Sequence, residues 1–234
     1  MPNIFHSPRI YEVWQLLEEE IFHLNRKSDE AHPLFNPWNE ELPEIDCLSA
    51  SEIRRNNLRN YLEHFYGSPS VLVLGEAPGW RGCRFSGVPF TAEAQVLDPA
   101  FPIKGNRSSN LTSRPLMEST ATIFWEKMYT YAQEFFAWNC IPFHPYQSGK
   151  PLSNRPPSIK EIRAFQPLLK SLVQVLHPSF IIAIGRTAQG ACDGCGWEVI
   201  PVRHPGHGGK IAFNNSIDDF WNHYYPSNAP PNPG

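Results

Sequence analysis

Val71-Leu72-Val73-Leu74 is continuously apolar, with no polar position to face water on either side, and it stops at Gly75-Glu76-Ala77-Pro78-Gly79. A short run of this kind reads as a strand buried on both faces, the pattern of a parallel sheet covered by helices. Three further β-prone runs follow: Phe135 to Cys140, Phe180 to Ile184 and Trp197 to Val202. Helical segments separate them. Four short strands alternating with helices predict an α/β fold, a three-layer α/β/α arrangement around a central four-stranded parallel sheet.

The helical segments are read from periodicity and capping signals. Apolar residues at Ile10, Val13, Trp14, Leu17, Ile21 and Leu24 predict a helix over 9–24, followed by a loop over 28–46. Ser49 with Glu52, and Ser158 with Glu161, have capping-box spacing and predict helices running to about Phe65 and Leu176. Further helices are expected over 119–133, just after Gly185 and over 215–224. Residues 80–115 show no period and read as long loops with a functional role.

Charge divides the chain. Residues 1–46 carry ten acids and three bases, a charge of −7, whereas residues 47–234 carry 13 acids and 17 bases, a charge of +4. We therefore expect an acidic N-terminal extension over 1–46, packed on a mildly basic core over 47–225, and a disordered tail over 226–234. No apolar run is long enough to span a membrane, and the N-terminus lacks the order of a signal peptide, so the expectation is a cytoplasmic protein. Five cysteines in such a chain argue against a disulfide framework, and Cys192-Asp193-Gly194-Cys195 has no second pair to complete a zinc site. Metal is expected to be absent.

In an open parallel sheet, ligands bind outside the carboxyl ends of the strands. Glu76 and His204 lie just past the ends of the first and fourth strands, and Asn139 is at the end of the second, so the topology brings them to one edge. Gly75–Gly79 lacks the Gly-Lys-Ser/Thr ending of a phosphate loop, and no G-x-G-x-x-G occurs. Its Gly–Pro–Gly frame instead suggests a fixed turn that brings backbone amides close to a flat ligand. No G-x-S-x-G elbow is present to support a serine hydrolase.

Gly75–Gly79, Gly87-Val88-Pro89-Phe90, the strand-end Asn139 and Arg203-His204-Pro205, in that order, resemble the uracil-DNA glycosylases, especially bacterial ones with a GEAPG motif. The likeness runs from about Val71 to Phe213. It implies a monofunctional DNA glycosylase of base-excision repair, without cofactor, that hydrolyses the N-glycosidic bond of a flipped-out deaminated base, uracil first among them; a monomer acting on DNA is the default expectation. By the same resemblance, Glu76 positions or activates water and backbone amides at Glu76 and Ala77 hold a ring carbonyl. Phe90 stacks on the base, Asn139 reads its Watson–Crick edge, and His204 donates to the leaving base. Arg203, Gly206 and Lys210 are implied to meet DNA.

Physical reasoning fits these roles. A base inside a duplex must be flipped out to be reached. A carboxamide donates and accepts together, which matches an imide edge that cytosine does not offer. Two departures from the family pattern stand out. Ala77 occupies the position where other branches carry Asp or Asn, so water activation falls to Glu76. The only CxxC lies late in the chain, so the four-cysteine iron–sulfur cluster of the GEAPG branch is not expected. Two alternatives stay open: a glycosylase for another base, such as hypoxanthine, and a damaged-base-binding module with little or no catalysis. His144 is expected to pack a loop, and Arg107, Arg114, Lys150 and Arg155 are further candidates for phosphate contacts.

Overall fold

The computed structural model describes residues 5–24 and 31–225. In chain order the elements are α1 (Pro8–Glu20), β1 (Leu34–Phe35), α2 (Ala50–Glu63), β2 (Val71–Gly75), α3 (Cys83–Ser86), α4 (Glu93–Val96) and α5 (Ser119–Met128). There follow β3 (Phe135–Asn139), β4 (His144–Pro145), α6 (Ile159–Leu176), β5 (Phe180–Ile184), α7 (Arg186–Asp193), β6 (Ile200–Val202) and α8 (Lys210–Asp219). A single turn of 3-10 helix extends α5, and a π turn over Phe220–Tyr224 extends α8.

The four strands expected from the apolar runs form one parallel sheet in the order β3-β2-β5-β6. Strand alternation sorts the helices into two layers. Phe135 of β3 meets Phe124 and Trp125 of α5, whereas its neighbour Phe136 meets Tyr61 of α2 and Phe65 just past its end. The α5 layer continues into α8, while α1 packs on α2 and α6, and α6 on α7. The result is the three-layer α/β/α architecture. Connections leave the adjacent strands β2 and β5 toward opposite faces, by way of α5 and α7. That divergence opens a crevice at their carboxyl ends.

Local departures from the sequence reading have identifiable causes. The Ser158–Glu161 capping box forms, with the Ser158 hydroxyl accepting from the Glu161 amide at 3.2 Å and the Glu161 carboxylate accepting from the Ser158 amide at 2.6 Å. The Ser49–Glu52 box does not form. Ser49 sits at φ 60° without a side-chain cap, and the Glu41 carboxylate accepts instead from the Ser51 amide (2.9 Å) and hydroxyl (2.7 Å). The α2 terminus is thus capped by a remote acid that local spacing could not reveal. The fourth strand begins at Ile200 rather than Trp197, because the Trp197 amide turns back to the Cys192 carbonyl after Gly196 at φ 74°. The first helix ends at Glu20, and the expected loop over 28–46 contains β1, paired antiparallel with β4. The expected tail over 226–234 lies outside the described residues.

The irregular stretch after β2 is ordered by two buried carboxylates. Asp46 is fully buried between Arg54 and Arg84, its Oδ1 3.0 Å from Arg54 Nη1 and its Oδ2 3.0 Å from Arg84 Nη2. This triad ties residue 46 to α2 and α3. Glu93 of α4 accepts from the Ser108 and Ser109 amides at 2.9 and 2.8 Å and from the Leu116 amide at 3.3 Å. A charged group with no access to water must be satisfied by such bonds, so each carboxylate fixes the loop that surrounds it.

Candidate active site

The Gly75–Gly79 turn is fixed through its carbonyls. Gly75 and Glu76 accept from the Cys140 and Ile141 amides (2.8 and 3.0 Å), and Pro78 accepts from His144 Nδ1 at 2.8 Å. His144 is fully buried and therefore packs the loop, as expected; burial pushes its pKa down to about 4, leaving a neutral ring that donates from Nδ1. A trans peptide sets its N–H opposite its C=O. With the carbonyls of Glu76 and Pro78 turned into the protein, the Ala77 and Gly79 amides point the other way.

The side chains beside this turn gather around one cleft of about 490 Å³. Glu76, Ala77, Phe90, Asn139, Arg203, His204 and Gly206 all line it, seven of the eight residues singled out from the sequence. Lys210 does not line it. It is the first residue of α8, exposed, with Nζ 2.8 Å from Glu126.

Glu76 is partly buried, and Thr187, near the start of α7, donates its hydroxyl to Oε2. A residue at the end of β2 and one just past β5 thus meet across the crevice. Phe90 is 8% exposed and stacks on Phe124, with centroids 4.5 Å apart and planes at 17°. Its backbone is held at φ 55°, a region that costs a non-glycine residue about 1–3 kcal/mol and recurs at functional sites. Neighbouring bonds hold it there: Ser86 Oγ donates to the Thr91 carbonyl at 2.7 Å, and Trp125 Nε1 to Thr91 Oγ1 at 3.0 Å.

Asn139 is 5% exposed, and its amide oxygen lies beside Gly75. A Cβ on Gly75 would come within 2.8 Å of Asn139 Oδ1 and 2.9 Å of Phe90 Cε2. The glycine is needed because ring and amide close over the strand end together.

His204 is partly buried, and its Nδ1 accepts from the Gly206 amide at 3.1 Å. Nδ1 therefore carries no proton, and the neutral ring bears its hydrogen on Nε2. Burial lowers the pKa of this histidine, with His207 and Arg203 adding to the effect, so it is a neutral donor at pH 7. Arg186 and Arg203 are exposed at the cleft lining. Arg155 also lines it, but Glu161 holds its guanidinium at 2.6 and 2.9 Å. Arg107 donates to the Ser113 carbonyl and the Ser109 hydroxyl and so orders its own loop.

Sequence reasoning missed Thr187, Arg186 and Glu118 at this cleft. The first two follow the third strand at Gly185, where the strand-end rule could have found them. Glu118, between an aperiodic loop and a helix, gave no such signal. Among the described residues, no group of three or more His, Cys, Asp or Glu could hold a metal, and no helix is long and apolar enough to cross a membrane. The five cysteines are free thiols.

The parallel sheet thus brings a carboxylate, a stacked ring, a carboxamide and a neutral imidazole to one crevice. Comparison with known proteins gives the family. The family model of the uracil DNA glycosylase superfamily matches residues 64–224, and the chain belongs to that superfamily. Its structure is similar to the crystal structure of wild-type SMUG2 from Pedobacter heparinus, with a TM-score of 0.66 and 12% identity over 95% of this chain and 99% of that one. At that identity the likeness concerns the fold. A search of curated proteins gives no match.

Proposed function

We propose that this chain is a monofunctional DNA glycosylase that hydrolyses the N-glycosidic bond of a flipped-out deaminated base, uracil before others. The observation that carries the reading is the meeting, in one cleft, of Glu76 held by Thr187, the Phe90–Asn139 pair closed over Gly75, and His204 with its proton on Nε2.

Each group has a physical task. Phe90 offers a ring face to the extruded base, a contact of about 1–3 kcal/mol that offsets part of the lost stacking. Asn139 matches the alternating acceptor and donor of an imide edge. As the C1′–N bond breaks, positive charge gathers on the sugar and negative charge on the base. Glu76 orients the attacking water and faces the first; His204 Nε2–H and the Ala77 amide serve the second. Donors set where charge develops contribute several kcal/mol when they need no reorganisation. Water adds to C1′, the base departs as an anion that takes up a proton, and an abasic sugar remains. Arg186 and Arg203 at the cleft suit phosphate contacts that fix register without reading sequence. The acidic segment over 1–46 contributes α1 and the Asp46 link to the same packed unit.

The test is a panel of single- and double-stranded oligonucleotides, each carrying one uracil, hypoxanthine, xanthine or mispaired thymine, assayed for abasic sites. The reading expects uracil to be released fastest. Release of another base instead would move the specificity. Tight, salt-sensitive binding without any abasic product would replace the enzyme by a base-binding module.

A further inference from the structure

Glu118 is the second carboxylate of the cleft. It precedes α5, but its side chain does not cap that helix. The side chain instead fills the space in front of two glycines. A Cβ on Gly82 would come within 2.9 Å of Glu118 Cδ, and one on Gly79 within 3.3 Å, with the carboxylate oxygens closer still in both cases.

Glu76 has Thr187 as its partner; the Glu118 carboxyl has no hydrogen bond or ion pair with any described residue outside its own backbone. The groups that share its surroundings do not neutralise it. Cys83 of α3 is a buried thiol whose pKa is raised by burial and by Glu118 itself. Across the cleft stand Glu76, Arg186, Arg203, His204 and His207, together with Arg155, which Glu161 already holds. Arg81, next to Gly82, lies over the Trp80 ring. A partly buried carboxyl without a partner favours its neutral form, and its burial raises the pKa to about 7. A neutral carboxyl is a hydrogen-bond donor, which a carboxylate is not.

Resting on the glycosylase reading above, we propose that Glu118 is a further base-recognising group: seated against Gly79 and Gly82, its carboxyl donates a hydrogen bond to a carbonyl oxygen or ring nitrogen of the flipped base in the cleft. The ligand class is a deaminated base that presents an acceptor not already taken by Asn139, such as the second carbonyl of a pyrimidine imide or a ring nitrogen of a purine. A base without such an acceptor leaves the carboxyl unsatisfied and binds less well.

Binding of oligonucleotides containing 2′-fluoro-2′-deoxyuridine or 2′-fluoro-2′-deoxyinosine, which resist cleavage, tests this without turnover. Affinity relative to unmodified DNA is measured from about pH 5.5 to 8.5 for wild type, Glu118→Gln and Glu118→Ala, with thermal melts to establish that each variant is folded. For the favoured base, wild-type preference falls by about tenfold as pH rises through 7, the loss of one hydrogen bond to a buried group. Glu118→Gln, whose amide donates at every pH, keeps the preference seen at low pH and loses this limb. Glu118→Ala is weak throughout. Titration of His204 affects all three proteins alike, so the difference between them isolates Glu118. Wild-type preference and pH profile in Glu118→Ala, an unchanged limb in Glu118→Gln, or no lesion preference in wild type would overturn the proposal. Cleavage of the unfluorinated oligonucleotides reports separately on the glycosylase reading: binding that depends on Glu118 without cleavage sinks hydrolysis alone, and cleavage with no Glu118 effect sinks this inference alone.

Discussion

Replacing Gly75 by alanine sets a methyl group against both the Phe90 ring and the Asn139 amide that line the cleft. The backbone there is an ordinary strand end, so alanine brings no dihedral strain, and the stiffer unfolded chain would by itself add about 0.4–1 kcal/mol of stability. Against this stand contacts at 2.8 Å to Asn139 Oδ1 and 2.9 Å to Phe90 Cε2. Ring and amide must each give by about half an ångström or more, and overpacking of this kind costs about 1–3 kcal/mol. The net expectation is a loss of about 1–2 kcal/mol in urea denaturation, with an unchanged slope. The effect on activity is larger, since misplacement by about 1 Å in a positioned site costs on the order of a hundredfold in rate. We therefore expect kcat/KM on a uracil oligonucleotide to fall by about 10- to 100-fold. A double-mutant cycle with Phe90→Ala locates the clash, because removing the ring should abolish most of the stability cost of Gly75→Ala. Equal costs of Gly75→Ala with and without Phe90, or a stable variant of wild-type activity, would refute the reasoning.

Three further outcomes follow from named contacts. Thr187→Val removes the hydroxyl that holds Glu76 while keeping the shape of the side chain; kcat should fall about tenfold with KM little changed, and steady-state kinetics that match wild type would detach Thr187 from the site. Asp46→Asn leaves Arg54 and Arg84 buried around a neutral group, so denaturation should reveal a loss of about 3–5 kcal/mol; a loss under about 1 kcal/mol would mean that the triad does not hold α3 in place. Glu118 ionises from 4.5 in the unfolded chain and about 7 in the folded protein, so the folded state holds the extra proton and stability falls as pH rises between the two. Glu118→Gln should match wild type near pH 5 and exceed it at pH 8, by up to ~3 kcal/mol at ~1.4 kcal/mol per pH unit, less whatever solvent screens; parallel stability curves would contradict the buried acid.

The sheet was legible because its three longer strands are apolar runs that end in a turn, and hydrophobic burial on two faces leaves few other ways to fold Val71–Leu74 or Phe180–Ile184. Glu76, Asn139 and His204 were legible for the same reason: a strand end in a parallel sheet is a position that chain order alone identifies. What escaped was set by contacts distant in sequence. Glu41 caps α2 in place of Ser49, Thr187 meets Glu76 across 111 residues, and Glu118 reaches Gly79 and Gly82 from the far end of an aperiodic loop. No local pattern encodes such partners. Phe90 illustrates the middle case, since its stacking role was implied by the family resemblance, whereas its backbone at φ 55° and its seat on Phe124 emerge only from the packed structure.

The central claim is that a neutral His204, with its proton on Nε2, stabilises the negative charge of a departing base in this cleft. Single-turnover formation of abasic sites from a uracil-containing oligonucleotide, by wild type and His204→Ala at equal occupancy, tests it most directly. The account predicts cleavage by wild type and a rate reduced by about 10²–10³ in the variant, the usual effect of removing one donor from a developing anion. Wild-type rates in His204→Ala, or no abasic product from wild type with any base in the panel, would contradict it.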